Sequence, residues 1–548
     1  MKLRKPVYAD KIRAETQNKF GGLRHLPQAE DGDLYDMRNL TADAYPLLQT
    51  RKRRFKKDVA RGDKVNGFGV LDGHLFWSDS KSTHFEGEAG HGAPTSDSQK
   101  IYSRVNDHIV VMPDKMWIKL HGAGYSTAGE LEQVLTVAAG KCGIQNGDLD
   151  GIETVGSTIV MRDLAMDGVL RLIGTFEEGD AITIQGCTTV PTNNLTAVLR
   201  EVDFTRTTIT LRFDENVFSY PEGQPYGYIE PGEITITRTA PEMDFVFEHE
   251  NRLWGYKGST IYASKLGDPF NWNVFDGTAT DAWSTPVLSE GDITGACSYG
   301  GYPIFFKENS IIKVYGSIPS EFRVSETTAF GVKAGSALSI AEASGVLFYL
   351  STAGVCAYTG TTPTVVSANA FPRDEVESGV GGSDTRRYYL SAITKEGSSS
   401  MLVYDVDERV WHREDAPAVV GFGCVGDVFC FMDTTGVVWS TESLGYGYKE
   451  EELLPWMAEF GDITNGTTRK KTVSKVEIRA EVKGTMTVYI SHDGGEWKAV
   501  AIVTETDKRS VVIPVRPRRA DHFRLRLEGD GECTVYSIAT YRSVGSSK

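Results

Sequence analysis

A unit of short strands joined by tight turns recurs along this chain and constrains its fold more than any other feature. The fullest copy is the stretch 245–275, where aromatic and β-branched runs alternate with turns such as Glu248–Asn251 and Lys257–Ser259. Apolar runs bounded by Gly, Asn, Asp and Pro are the usual sequence signal of β-hairpins. Further copies lie at 68–78, 105–120, 297–315, 343–358, 387–411 and 422–440.

The spacing of these copies predicts a β-propeller. After residue 240 the units begin roughly 35–50 residues apart, with about four short strands in each. One unit cannot bury both of its faces, whereas a ring of units can, and a closed ring leaves only short exposed edges.

Two stretches depart from this rhythm and predict additional β domains. Short strands in 121–238 favour an inserted small β-barrel, in which Leu131–Val137 is interpreted as a short helix. After residue 455, apolar residues alternate with charged ones, which is typical of half-buried antiparallel strands. We therefore expect an all-β chain with an extended N-terminal arm at 1–66, first propeller blades at 67–120, an inserted β-barrel-like domain at 121–238, remaining blades at 239–454 and a C-terminal β-sandwich, jelly-roll-like, at 455–548.

The N-terminal arm is polar and often broken by Gly and Pro. We expect it to pack along a larger body through five apolar anchors: Leu34, Tyr35, Met37, Leu40 and Tyr45.

Further along the chain, the glycines of 379–382 are interpreted as loop residues.

Charge and cysteine content limit the classes of function. The formal net charge of −16 argues against a protein that coats DNA, because such proteins are basic. Seven scattered cysteines, an odd number, favour folding in a reducing compartment. The N-terminus has charge but no apolar core, and no run of 18 apolar residues occurs, so we expect neither a secretion signal nor a membrane span.

A basic cluster stands out against the acidic balance: six of the seven residues 51–57 are cationic. One interpretation is a strand end that faces solvent or a neighbouring subunit; another is contact with nucleic acid. Phe55 is the only aromatic residue within it, which disfavours a stacking surface for bases. The subunit-interface candidates are Arg51, Lys52, Arg53, Arg54, Lys56 and Lys57.

No motif in the chain predicts catalysis, a metal site or a cofactor. The histidines and cysteines lack zinc-ligand spacing, and neither a nucleophile elbow nor a phosphate-binding loop is present. Ser491–Trp497 is similar to an Asp-box, but we expect Asp493 to bond its own turn backbone. Asp405 and Asp407 are read as part of a hairpin. Acidic pairs such as Asp374 and Glu375 leave a propeller glycosidase open as an alternative.

Several short motifs resemble one family. Asn251–Trp254 followed by Ser264–Trp272 resembles a pattern in tail nozzle and hub proteins of short-tailed bacteriophages, with Lys265 where the pattern often has Arg. The stretches 20–48, 411–415 and 517–531 also resemble virion structural proteins from phages and prophages of Gram-positive bacteria. The resemblance spans most of the chain, although each motif is short.

This resemblance implies a structural β-propeller subunit of a phage tail, without catalysis or cofactor. Its partners would be about five further copies in a ring, the portal or adaptor proteins, and tail fibres or a needle. It would be assembled in the host bacterial cytoplasm and reside in the virion tail, where double-stranded DNA passes without specific binding. Six copies would carry 6 × 16 = 96 net negative charges, and an acidic wall avoids phosphate contacts that retard DNA.

Two other functions compete with this one. A receptor- or carbohydrate-binding virion protein would use aromatic residues of the C-terminal domain, where Trp456 and Trp497 are the tryptophan candidates. A propeller glycosidase would need converging carboxylates with a raised pKa. The residues of the central stretch that we expect to be structural turn residues are Asn251, Arg252, Asp268 and Asn271.

Overall fold

A computed structural model describes residues 13–26, 32–59, 64–71, 73–86, 95–121, 125–146, 157–162, 176–205, 207–213, 217–372, 375–464 and 469–544. The regular structure of these residues is 45 β-strands and three short 3-10 helices, so the predicted all-β fold class is confirmed. Asp374 lies outside the described residues.

The strands before residue 245 are mostly short. They are β1 (Arg13–Gln17), β2 (Gly22–Leu23), β3 (Asp33–Arg38), β4 (Leu40–Thr41), β5 (Leu48–Thr50), β6 (Phe55–Asp58), β7 (Val65–Leu71), β8 (His74–Asp79), β9 (Thr83–Phe85), β10 (Ile101–Val105), β11 (His108–Met112), β12 (Met116–His121), β13 (Tyr125–Glu130), β14 (Gln133–Val137), β15 (Cys142–Asn146), β16 (Ser157–Met161), β17 (Ala181–Gln185), β18 (Thr196–Phe204), β19 (Ile209–Phe213), β20 (Gly227–Glu230) and β21 (Ile234–Arg238).

The remaining strands end with three long ones. They are β22 (Phe245–His249), β23 (Arg252–Lys257), β24 (Thr260–Ala263), β25 (Trp283–Pro286), β26 (Gly295–Tyr299), β27 (Tyr302–Lys307), β28 (Ser310–Tyr315), β29 (Arg323–Thr328), β30 (Ala341–Ala343), β31 (Val346–Ser351), β32 (Gly354–Tyr358), β33 (Thr364–Val365), β34 (Val376–Ser383), β35 (Arg387–Thr394), β36 (Ser399–Asp405), β37 (Val410–Arg413), β38 (Val419–Val425), β39 (Val428–Asp433), β40 (Val437–Ser440), β41 (Lys449–Glu450), β42 (Pro455–Phe460), β43 (Lys471–His492), β44 (Lys498–Pro514) and β45 (Phe523–Val544). The 3-10 helices are Pro191–Asn193, Pro319–Glu321 and Ala337–Ser339.

The chain divides into two compact units, one made of 1–79 and 329–548 and the other of 80–328. The second unit holds three four-stranded antiparallel sheets, β10–β13, β22–β25 and β26–β29. Within the sheet β22–β25, Phe247 lies opposite Trp254, and Glu250 and Asn251 form the turn with positive φ. Trp254 and Phe305 share one core between two of these sheets. Each sheet is thus one blade of the predicted kind.

The inserted region of the second unit forms one eight-stranded antiparallel sheet in the order β14-β21-β17-β18-β19-β16-β15-β20. Leu135 of the first strand and Tyr228 of the last belong to one buried core, so the sheet folds around it. The predicted helix at Leu131–Val137 is wrong, because β14 pairs with β21 there and tertiary pairing overrides a weak local preference. The blade before the insert also continues to Glu130 through β13, beyond the expected limit at residue 120.

The first unit contains the four-stranded sheets β30–β33 and β34–β37 and a five-stranded sheet, β38-β39-β40-β6-β41. Strand β6 comes from the N-terminal arm, and Phe55 lies opposite Ser440 of β40. The hairpin β7–β8 begins one more small sheet. The chain therefore has the seven-blade arrangement of a β-propeller, which confirms the fold class, together with further β-sheets.

Glycines allow inner strands of neighbouring blades to approach closely. Gly382 lies on β34, and a Cβ placed there would be 2.3 Å from the Cβ of Phe422 on β38. The interpretation of 379–382 as loop glycines is therefore wrong: these residues lie in β34, and the side chain of Phe422 packs closely against Gly382.

The C-terminal sheet has nine strands and is completed by the N-terminal arm. Strands β43 and β45 pair over most of their 22 residues each, and β44 forms the outer edge of the path β2-β3-β42-β45-β43-β44. Strands β1 and β5 of the arm pair with β45, and β3 pairs with β42. The anchors Leu34, Met37 and Leu40 are buried in the core of this sheet. The arm is thus an integral part of two sheets rather than a separate extended segment.

Candidate functional site

The basic cluster lies where the N-terminal arm enters the last blade as β6. Its six cations have unequal environments, because Arg51 and Arg54 are only 5% and 6% exposed. Lys52 and Lys56 are exposed, and the other two are half-buried. The cluster is therefore not one continuous charged surface.

Arg51 binds one carboxylate with both ends of its guanidinium. Its Nη1 donates to Oε2 of Glu451 at 2.6 Å and its Nη2 to Oε1 at 3.1 Å. The Nε donates to Oδ1 of Asn39 at 2.9 Å. This geometry is the paired fork that gives Arg–carboxylate contacts their strength and direction.

Arg54 joins two further carboxylates to the same place. Its Nη1 donates to Oδ2 of Asp415 at 2.8 Å, its Nη2 pairs with Glu414, and its backbone N–H donates to Glu451 at 2.8 Å. Burial opposes ionisation of Asp415, but the charges of Arg54 and Arg51 outweigh it and hold the pKa of that carboxyl below its usual value. We call Arg51, Arg54, Glu414, Asp415 and Glu451 the clamp.

The clamp corrects one interpretation of the sequence. Arg51 and Arg54 cannot serve as subunit-interface residues, because their side chains are buried against carboxylates of their own chain. The excess of acid elsewhere in the chain supplies their partners. Lys56 and Lys57 instead lie over aromatic rings, 5.6 Å from the ring centre of Trp439 and 5.2 Å from that of Tyr448. An interface role stays a prediction for Lys52, Arg53, Lys56 and Lys57.

A second group of ion pairs lies beside the clamp. Arg387 pairs with Asp43 and donates through Nε to Asp405 at 3.2 Å. Burial opposes ionisation of both carboxyls, but the nearby arginines and hydrogen bonds hold the pKa of each below its ordinary value. His412 is buried next to them without a hydrogen bond at either ring nitrogen, and burial followed by the charge of Arg387 lowers its pKa to about 3.

The turn residues of the central stretch make local structural contacts. Asn251 has φ of 62° and donates its N–H to Oε1 of Glu248 at 2.7 Å, which closes the turn between β22 and β23. Arg252 is 3% exposed, and its guanidinium donates to the carbonyls of Ser264, at 2.8 Å, and Ala279, at 2.7 Å. An arginine used in this way ties a long connection to its blade.

The other two turn residues bond the backbone of their own connection, and Asn271 also reaches Asp180. Asp268 accepts a hydrogen bond from the N–H of Phe270 at 2.9 Å, and Asn271 accepts one from the N–H of Asn273 at 3.1 Å. The Nδ2 of Asn271 also donates to Oδ1 of Asp180 at 2.5 Å.

Asp180 is fully buried and serves several donors at once. Its Oδ2 accepts from Nη1 of Arg238 at 2.7 Å and from the N–H of Glu177 at 2.9 Å. We call Asp180, Arg238 and Asn271 the junction cluster, because it joins the inserted sheet to the connection that follows β24. The sequence indicated the turn at Asn271 but contained no signal for its partner 91 residues away.

The glycosidase alternative depends on carboxyl groups, and Asp268 is one that the structure describes. The pKa of Asp268 is raised, chiefly because it is buried. Its neighbour Glu177 is ion-paired with Lys265. Glu375 is exposed, while its predicted companion Asp374 lies outside the described residues. Asp415 of the clamp, whose pKa is lowered by Arg54 and Arg51, is a poor general acid.

The sugar-binding candidates of the C-terminal sheet are also differently placed than expected. Trp456 is 1% exposed and belongs to the core, so it offers no surface for a ligand. Trp497 is half-buried beneath the guanidinium of Arg526, 4.2 Å from its ring centre. Asp493 does not bond its own turn, because its Oδ1 accepts from the N–H groups of Asp521 at 2.7 Å and His522 at 3.3 Å.

The described residues form neither a metal-binding site nor a reactive cysteine site. No group of three or more His, Cys, Asp or Glu side chains there is placed to hold a metal ion. None of the seven cysteines forms a disulfide, and burial raises the pKa of Cys142 and Cys533 to about 12. Among the described helices, none is long and apolar enough to cross a membrane.

Comparison with known proteins identifies no family for this chain. No protein-family model and no curated sequence matches the chain. Similar solved structures include an exo-β-1,3-galactanase from Phanerochaete chrysosporium, with 9% identity over 53% of this chain and 93% of that chain, and a TM-score of 0.22. PorZ, a surface component of the type-IX secretion system of Porphyromonas gingivalis, has 10% identity over 88% of this chain and 77% of that chain, with a TM-score of 0.27. A puromycin hydrolase has 8% identity over 74% and 60%, with a TM-score of 0.26. Similarities at this level define neither a family nor an activity for this chain.

Proposed function

We propose that this protein is a structural subunit of a bacteriophage tail. It forms a closed nozzle or hub ring of six copies below the portal and adaptor proteins, and this ring is part of the conduit for genome ejection. The protein performs no catalysis in this role. The resemblance of 251–272 to tail nozzle and hub proteins supports the proposal.

The observation that carries the proposal is the outer edge of the C-terminal sheet. Strand β44 is 17 residues long and pairs with β43 on one side. On its other side, no strand of the described chain pairs with it. Ile502 and Val512 on this strand are 70% and 55% exposed. A long edge with exposed apolar side chains promotes pairing with another chain, and a subunit of an assembly covers such an edge.

Ring formation is tested by native mass spectrometry of the full chain and of complexes extracted from virions. We expect one dominant cyclic stoichiometry of six for the natural sequence. The double variant Ile502→Lys/Val512→Lys should fold but lose the ring, because charges on an edge strand oppose pairing. Val324→Lys, at a site 38% exposed on the edge strand β29, is the matched control and should leave the ring intact. A monomer or dimer within intact virions would contradict the proposal.

The conduit role also predicts how strongly the ring binds duplex DNA. A net charge of −16 per chain favours a lumen that repels phosphates and keeps the duplex mobile. Purified rings should therefore bind duplex DNA weakly or not at all at physiological salt. Tight, salt-dependent binding that is abolished when Lys52, Arg53, Lys56 and Lys57 are changed to glutamine would contradict the conduit.

A further inference from the structure

A cavity of about 460 Å³ lies in the first unit, between the arm residues 51–55 and the last two blades. Its volume is within the range of small-molecule sites, about 300–1,000 Å³. We infer that this cavity is a binding site for a neutral saccharide. The inference is independent of ring formation, since every residue that carries it belongs to one chain.

An unpartnered hydroxyl points to a ligand in this cavity. Ser440 lines it and is 1% exposed, yet its Oγ has no hydrogen-bond partner. Buried polar groups are nearly always hydrogen-bonded, because leaving one unpaired costs its desolvation free energy. A ligand hydroxyl in the cavity would satisfy this Oγ.

The free charges of the wall identify the class of ligand. Arg53 and Lys52 line the cavity, as do Glu442 and Glu450, and none of these four side chains has an ion-pair or hydrogen-bond partner in the described chain. Arg51, Arg54 and Arg387 are already paired with carboxylates. The cavity thus presents two free cations and two free carboxylates. Sugar hydroxyls both donate and accept hydrogen bonds and suit this mixture, whereas an anion would be repelled by the carboxylates.

Aromatic rings supply the apolar part of the same wall. Phe55, half-buried, lies directly opposite Ser440 in the pairing of β6 with β40. Phe429 also lines the cavity and is held by Tyr389, with ring centres 4.3 Å apart. Rings fixed in this way pack against the C–H faces of a pyranose while the polar groups bind its hydroxyls.

The test is titration calorimetry of the full chain with neutral sugars: glucose, galactose, rhamnose, N-acetylglucosamine and the β-linked dimers of glucose and N-acetylglucosamine. We expect at least one to bind with a millimolar or lower Kd. Arg53→Gln and Ser440→Ala should each weaken that binding about tenfold or more, as loss of a hydrogen bond to a buried or charged group does. Both variants should keep the melting temperature of the natural chain.

The matched controls are Arg323→Gln and Ser325→Ala, at exposed positions of β29, and they should not change the Kd. Inorganic phosphate is the anionic probe. Tighter binding of phosphate than of every sugar, abolished by Arg53→Gln, would overturn the saccharide in favour of an anion. Failure of all the sugars to bind at millimolar concentration, or sugar binding that both cavity variants leave unchanged, would also overturn the inference. None of these three results would alter the ring stoichiometry, so this test is separate from that of the proposed function.

Discussion

The clamp and the junction cluster both tie distant parts of a unit together with buried charges, but they differ in redundancy. In the clamp, two guanidiniums share three carboxylates, and the side chain of Asp415 keeps 27% exposure. In the junction cluster, one fully buried carboxylate serves an arginine, an amide and a backbone N–H. Loss of one clamp member leaves most of the other members with a charged partner, whereas loss of Asp180 removes the carboxylate that both Arg238 and Asn271 bind. The number of alternative partners should therefore set the cost of a substitution.

The largest expected effect is that of Asp180→Ala. It leaves the guanidinium of Arg238 buried without its carboxylate, and breaking a buried pair costs about 3–5 kcal/mol of unfolding free energy. Urea unfolding at pH 7 measures this. The control is Asp203→Ala on the same inserted sheet, where a side chain 51% exposed pairs with Arg212 at 3.3 Å. That surface pair should be worth roughly 1 kcal/mol or less. Equal losses of unfolding free energy for Asp180→Ala and Asp203→Ala would contradict the expected difference between a buried and a surface ion pair.

Arg54→Met should cost less than Asp180→Ala, about 2–3 kcal/mol, below the usual range for a broken buried pair. Arg51 still faces Asp415 at 3.6 Å and holds Glu451, so only Glu414 loses its main cation. The neighbouring Arg53→Met is the control, because that guanidinium has no partner in the described chain. It should change unfolding free energy by within about 0.5 kcal/mol. If Arg54→Met lowers the unfolding free energy as much as Asp180→Ala does, shared ion-pair partners do not reduce the loss of stability.

The buried side chain of His412, next to the clamp, predicts that the free energy of unfolding decreases at acidic pH. The pKa of His412 is about 3 in the folded chain and about 6.5 when unfolded. Between these values the unfolded state binds a proton that the folded state does not, so stability falls as pH decreases, by about 1.4 kcal/mol per pH unit. Arg387, Arg386, Asp43, Asp405 and Glu414 are the charged groups that surround it.

The measurement is urea unfolding of His412→Gln at pH 7, 6 and 5. The variant should lose stability with falling pH less steeply than the natural chain, while His74→Gln, at an exposed position, should not alter the slope. The carboxyls of Asp43 and Asp405 have lowered pKa values, so their stabilisation is present above about pH 4 and is lost only at lower pH. Identical slopes for both variants would contradict a neutral, buried His412.

The sequence predicted what local chemistry determines. Gly, Asn and Asp turns identified the blades, because each blade hairpin pairs residues close in the chain. Period-two alternation identified the strands β43 and β45. Pairing over long distances left no local signal. Strand β6 is hidden within a run of cations, and its partner Ser440 follows almost 400 residues later.

In the candidate sites too, the sequence indicated local features but not contacts between distant segments. The cationic run 51–57 was visible, but not that Arg54 reaches Glu414, 360 residues away. Trp456 was visible as an aromatic residue near a linker, but a tryptophan has the same sequence signature in a core as on a binding surface. The cavity beside Phe55 was missed entirely, since its wall comes from segments that are adjacent only after the arm pairs with the last blade.

The smallest expected effect is at Asp268, beside the junction cluster, where two contributions oppose each other. Its carboxylate accepts a hydrogen bond from the N–H of Phe270 at 2.9 Å, and Asp268→Ala removes that bond at a cost of about 1 kcal/mol. Burial raises the pKa of Asp268, so its charged form is disfavoured in the folded chain, and stability falls as pH rises from the unfolded-state pKa through the folded value. Asp268→Asn keeps an acceptor for Phe270 and removes the buried charge. Urea unfolding at pH 7 should therefore find Asp268→Asn at least as stable as the natural chain and Asp268→Ala less stable. Equal destabilisation by both variants would show that the charge itself holds the turn, as the charge of Asp180 holds the junction cluster.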